Sequence, residues 1–164
     1  MTTHDWWVLS PAIAMASLAI AIVLADLAMP RDEDASARRR MLGYLALAGL
    51  AAPFLLSLNL WFGWVGEIGV GPALSGAIVA DRFALFFQFI LTGVTAAVIM
   101  ASMGYSDRLP GLRGEFLALV LFSVTGMIVL VSARELISIY VALELTALPV
   151  AALAAFGREG RSAE

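Results

Sequence analysis

Between Glu135 and Phe156 the chain runs for about one bilayer thickness with a single strongly acidic residue inside the run, Glu144. A membrane-spanning helix needs roughly 20 mainly apolar residues, at a rise of about 1.5 Å each. Water cannot serve backbone groups at that depth, so a helix is the form open to such a stretch. Glu144 falls roughly 13 Å from Glu135 and 18 Å from Phe156 along it, close to the midplane. An acidic side chain there opposes insertion by about 2.5–3.5 kcal/mol. A group that expensive is neutral, paired or facing a wet cavity. Pro149 follows on the same helix. It has no N–H, so the Leu145 carbonyl loses its helical partner and a kink is expected beside the acid. Two roles fit Glu144: a functional ionisable group, or a carboxylate that a neighbouring helix holds for packing specificity. Pro149 fits a functional kink or an ordinary membrane proline equally well.

Four further apolar runs precede it, over residues 11–29, 41–61, 83–104 and 114–131. The chain is 62% hydrophobic with a mean hydropathy of +0.93, well above the roughly 45–50% of a soluble domain. The expected fold is therefore all-α: one polytopic transmembrane helix bundle over residues 1–164, with about five spans. Ser10-Pro11 reads as a helix start, a hydroxyl cap before a proline at the first helical position. Trp6 and Trp7 suit the membrane interface just ahead of it, and Asp26 reads as an interfacial acid at the far end. Residues 30–40 read as a charged loop. The second span contains Pro53, with Ser57 and Asn59 near its end. Residues 62–80 are rich in glycine and flanked by Trp61 and Trp64, a connection expected to lie on the membrane surface. Without lysine or a strand–loop–helix context, they do not read as a phosphate-binding loop.

On the third span Gln88, Thr92, Thr95 and Ser102 recur at helical spacing. Such a stripe can line a hydrated path or hydrogen-bond a neighbouring helix. Residues 105–113 form a turn with Pro110-Gly111. Glu115 in the first turn of the fourth span complements the helix dipole and is a second, weaker candidate for proton transfer. The short link Ser132-Ala133-Arg134 makes the fourth and fifth spans antiparallel neighbours, and residues 157–164 read as a polar tail.

A net charge of −3 with no large basic patch argues against a nucleic-acid partner. The absence of cysteine removes thiol catalysis, disulfides and thiolate-bound metals. The one histidine, His4, reads as solvated. Residues Met1–Asp5 carry no lysine or arginine, and the first apolar run reads as too long for a cleaved leader. All ten basic residues are arginine. With the N-terminus outside, eight of them fall on the cytoplasmic side and only Arg82 and Arg134 outside. That bias predicts an outer N-terminus and a cytoplasmic C-terminus, in a bacterial inner membrane.

Three pieces in order on the last two spans carry a family resemblance: the run from Gly114 to Met127, Ser132-Ala-Arg-Glu-Leu136, and Leu143-Glu-Leu-Thr-Ala-Leu-Pro149. With Asp81-Arg82-Phe83-Ala84 ahead of the third span, they resemble the antiporter-type membrane subunits of respiratory complex I, above all subunit N of the NADH–quinone oxidoreductase. The resemblance is densest over residues 80–164; residues 1–79 fit mainly by hydropathy. It implies a proton-translocating subunit in which quinone is reduced elsewhere and no redox chemistry occurs in this chain. It places Glu144 at the family's mid-membrane glutamate, which pairs with a lysine on a later helix, and Glu115 at an acid near the start of the fourth span. Arg134-Glu135 departs from the small or amidic residues usual there. Family members have about fourteen spans, so the resemblance also implies an N-terminal portion whose lysine-bearing helices come from elsewhere. Arginine does not substitute for that lysine, because its high proton affinity prevents release.

The implied mechanism is an electrostatic switch. Hydrocarbon favours the neutral carboxyl and a nearby cation favours the carboxylate, so moving the cation loads and unloads a proton. No cofactor is expected in the chain; the expected partners are the bilayer and other membrane subunits. A subunit of a related cation/proton antiporter or membrane hydrogenase, or a non-conducting scaffold remnant, would share the same motifs.

Overall fold

The computed structural model describes residues 3–29, 35–63, 71–105 and 113–159. These residues form six α-helices, α1 (Thr3–Ala28), α2 (Ala35–Gly49), α3 (Ala51–Phe62), α4 (Arg82–Tyr105), α5 (Arg113–Ser132) and α6 (Leu136–Glu159), and a small hairpin of β1 (Gly71–Ala73) and β2 (Ile78–Ala80). Among the described residues five helical stretches are long and apolar enough to cross a membrane, with α2 and α3 together supplying one of them. The multi-pass helical bundle expected from hydropathy is the fold observed.

The first helix starts at Thr3, not near Pro11, and contains the tryptophans. Pro11 cannot donate to the Trp7 carbonyl four residues back. The Ser10 hydroxyl donates to that carbonyl instead, at 2.7 Å, and the helix runs on. The pair that reads as a start signal is a repaired proline inside a longer helix. At Pro53 the outcome differs. The missing N–H would have served Gly49, and the helix is interrupted at Leu50, between α2 and α3. Gly49 lies so close to α1 that a Cβ there would collide with the Leu18 side chain.

The charged loop expected over residues 30–40 is shorter, because Ala35–Arg40 already belong to α2. Residues 30–34, the glycine-rich residues 64–70 with Trp64, the Pro110-Gly111 turn and residues 160–164 lie outside the described residues. The tail at residues 157–159 is helical.

The hairpin corrects the reading of residues 62–80 as a plain connection. Its strands pair antiparallel, Gly71 with Ala80 and Ala73 with Ile78. Leu74 and Ser75 take left-handed backbone angles, φ 51° and 58°, in the turn. Strands of three residues are too short to show an alternating pattern, and their glycines look like loop. The hairpin is pinned from two sides. The Asp5 carboxylate accepts the Leu74 N–H at 2.9 Å, and the Arg134 N–H donates to the Ala77 carbonyl at 2.9 Å. Val8, Ala73, Ile78 and Ala80 close a small apolar cluster beneath it.

The main core lies between α1, α2, α4 and α5. α1 buries Val8, Ala12, Met15, Ala19 and Ile22, spaced alternately four and three residues apart along one stripe. All but Val8, which belongs to the hairpin cluster, meet Leu117, Leu121, Val124 and Ile128 of α5. α5 packs against α1, α4 and α6 and is buried on most of its circumference.

Candidate functional site in the last membrane helix

The Ala133–Glu135 link returns the chain antiparallel to α5 and starts α6, which packs almost entirely against α5. The contact is a backbone approach. A Cβ at Gly126 would lie 2.5 Å from the Thr146 hydroxyl, 2.6 Å from the Thr146 nitrogen and 2.9 Å from the Leu145 carbonyl carbon. Small residues permit such approaches between membrane helices. The Ser123 hydroxyl donates across the seam to the Thr146 carbonyl at 3.2 Å, and the Thr146 hydroxyl donates back to Ala142 at 2.9 Å. Ala142 and Pro149 are buried on this side.

Glu144 stands on the other side. Positions two residues from both Ala142 and Thr146 are about 200° away around a helix. Glu144 is exposed, level with the middle of α6. Ile137, Tyr140, Val141 and Leu148 share its face, at 76, 63, 57 and 65% exposure. Glu144 thus combines a mid-helix position with a side chain that the described helices leave uncovered. One neighbour covers one face of α6, and the carboxyl lies on the open one. Pro149 does not stand beside the acid; it lies on the covered side, and α6 continues past it to Glu159.

Glu115 is exposed in the first turn of α5. The Gly126 crossing puts Glu144 more than two turns away along the seam, roughly 16 Å, so the two acids are not brought together.

The polar stripe of α4 behaves as a packing feature. Gln88, Thr92 and Thr95 are buried. Gln88 accepts from the Ser57 hydroxyl of α3 at 2.9 Å and donates to the Ser132 hydroxyl of α5 at 3.2 Å. The Thr92, Thr95 and Ser102 hydroxyls donate to carbonyls of their own helix. Of the stripe, only Gln88 joins helices through these bonds.

Asp26 is more than an interfacial acid. Arg38 donates to its carboxylate at 2.7 and 3.0 Å and to its carbonyl at 2.7 Å. The cation thus also serves the C-terminal end of α1, where helix carbonyls lack partners. Gly114 at the start of α5 lies against the same carboxylate, where a Cβ would sit 2.5 Å from the Asp26 Cβ and Cγ. Sequence reading missed this clasp. Its available clue was an arginine just beyond a short charged connection from a helix-end acid. Among the described residues, no group of three His, Asp or Glu could hold a metal ion.

No family model matches the chain. Curated relatives do. It is 36% identical over 162 residues to NADH-quinone oxidoreductase subunit N of Granulibacter bethesdensis, covering 98% of this chain and 31% of that protein. It is 32% identical over 157 residues to subunit N 2 of Koribacter versatilis, covering 95% and 31%. Against subunit N 2 of Streptomyces griseus it is 33% identical over 158 residues, covering 96% and 28%. The chain thus spans about a third of the length of the curated relatives it matches, and the match takes in residues 1–79 as well as the motif-bearing half.

Proposed function

We propose that this chain, similar over nearly all its length to subunits N of NADH-quinone oxidoreductases, forms an N-terminal five-span portion of such a membrane subunit. In this reading it moves protons through Glu144. The observation that carries the proposal is the position of that carboxyl: mid-helix, on an open and otherwise apolar face. Lipid alone gives a carboxylate no partner at that depth. The face is therefore covered by helices from outside residues 1–164 that bring a cation. The chain has no lysine, and arginine does not give up its proton, so a lysine-type cation on those helices is the fitting partner.

Glu144 then works as half of a switch. It gives up its proton as the cation approaches and takes one up as the cation withdraws. Quinone reduction elsewhere in the assembly drives the movement, and other membrane subunits of the oxidoreductase are the partners. The membrane is a bacterial inner membrane. The hairpin end, bearing Arg82 and Arg134, faces outside, and the end bearing Arg38 and Arg40 faces the cytoplasm, as the arginine bias requires. Glu115 sits at the cytoplasmic end and has at most an accessory role.

The test is Glu144→Gln in the assembled complex. Proton translocation per NADH oxidised should fall at least about tenfold, a modest loss for a proton-transfer group, with the complex still assembled. Unchanged stoichiometry would remove the switch and leave a scaffold.

A further inference from the structure

Glu144 points away from the one seam that holds its helix. α6 meets almost nothing but α5, so that seam governs its rotation. At the crossing, Gly126 faces backbone atoms, the Thr146 nitrogen and the Leu145 carbonyl carbon. These are the two residues that follow Glu144 in the chain. Backbone cannot swing aside as a side chain can. The Ser123 hydroxyl fixes the azimuth of the same turn by holding the Thr146 carbonyl at 3.2 Å. The Thr146 hydroxyl is turned inward to Ala142, so it does not compete for Ser123.

We propose that Gly126 and Ser123 are positioning residues for Glu144: their seam against Leu145–Thr146 fixes the rotation of α6 and aims the carboxyl at the open face. The inference rests on the proton-carrying role of Glu144 for its functional meaning; its geometry stands apart from that role. One methyl at Gly126 is enough to disturb the seam. Contacts of 2.5–2.9 Å must open towards the roughly 3.5–4.0 Å of ordinary carbon contact. That moves the Glu144 turn by about 1 Å, a displacement that can cost about a hundredfold where geometry governs a reaction. Gly93 of α4 is the matched control, because a Cβ there meets nothing within 4 Å.

The experiment uses the complete membrane complex carrying Gly126→Ala, Ser123→Ala or Gly93→Ala. The first readout is protons translocated per NADH oxidised. The second is the rate at which dicyclohexylcarbodiimide modifies Glu144, followed by mass spectrometry. That reagent takes up a protonated carboxyl across one C=N bond with no leaving group, so its rate reports the local setting of the acid. G126A should change the Glu144 labelling rate at least threefold and lower the stoichiometry; S123A should move both in the same sense by less; G93A should move neither. Unchanged labelling in G126A overturns the proposal, as does a lowered stoichiometry with labelling unchanged. If G126A does not assemble, S123A decides alone, since it adds no volume: labelling equal to the unsubstituted complex overturns the inference. If E144Q leaves pumping intact while G126A still shifts labelling, the functional reading fails and the geometric one survives.

Discussion

α5 and α6 are consecutive membrane helices of nearly equal hydropathy, yet half of the apolar stretch of α5 is buried and only 11% of that of α6. Apolarity therefore does not report burial here. It reports the membrane, which is as apolar as any core. What separates the two helices is their neighbours: α5 packs against α1, α4 and α6, and α6 against α5. α5 buries Gly114, Ala118, Ser123, Gly126 and Ser132, and its two buried glycines let Asp26 and the α6 backbone come close. α6 turns Ile137, Tyr140, Val141 and Leu148 outward around one acid. The first helix is locked at both ends, by the Asp26–Arg38 clasp at Gly114 and by Gln88 at Ser132. The second is held along one seam.

Substitutions that attack this contrast should fall in a definite order. Gly114→Leu places a side chain where Asp26 and its arginine already sit, and should destabilise the chain by about 3 kcal/mol, at the top of the overpacking range. Arg38→Leu leaves a partly buried carboxylate without its cation and the α1 end uncapped; about 1–2 kcal/mol is expected, because the pair is also partly solvated. Gln88→Leu removes two interhelical hydrogen bonds, each worth about 0.6 kcal/mol in membrane helices, so roughly 1 kcal/mol should be lost. Leu148→Ala, on the open face, should change stability by under about 0.5 kcal/mol in the isolated chain. All four are read by reversible unfolding of the chain in mixed micelles. A Leu148→Ala loss as large as that of Gln88→Leu would show that α6 is packed on its outer side too, and the contrast would be gone.

Much of the architecture was legible in the residues. Bilayer-length apolar runs set the five spans, and the short Ser132–Arg134 link set the antiparallel α5–α6 pair. The resemblance carried by Gly114–Met127 and Leu143–Pro149 agrees with the relatives found. Local chemistry misled where two effects compete. Ser10-Pro11 has the form of a helix start, yet the same hydroxyl can serve the carbonyl that the proline deprives. The hairpin was invisible because three-residue strands have no period to read. The clasp joins α1 to α2 and α5, and partner choice between helices is not written in the hydropathy of any one of them. Glu144 was found by its cost in hydrocarbon, but which face it occupies depends on Gly126, and that appears only once α5 and α6 are placed together.

In the proposed reading the open face of α6 is an internal surface of a larger membrane assembly rather than a lipid-facing wall. Benzoylphenylalanine placed at Leu148, one turn beyond Glu144 on that face, tests it in native membranes. Irradiation is predicted to give an adduct with protein segments beyond residues 1–164. Adducts with lipid alone would mean that this face is bare to the bilayer and that no partner helix covers Glu144.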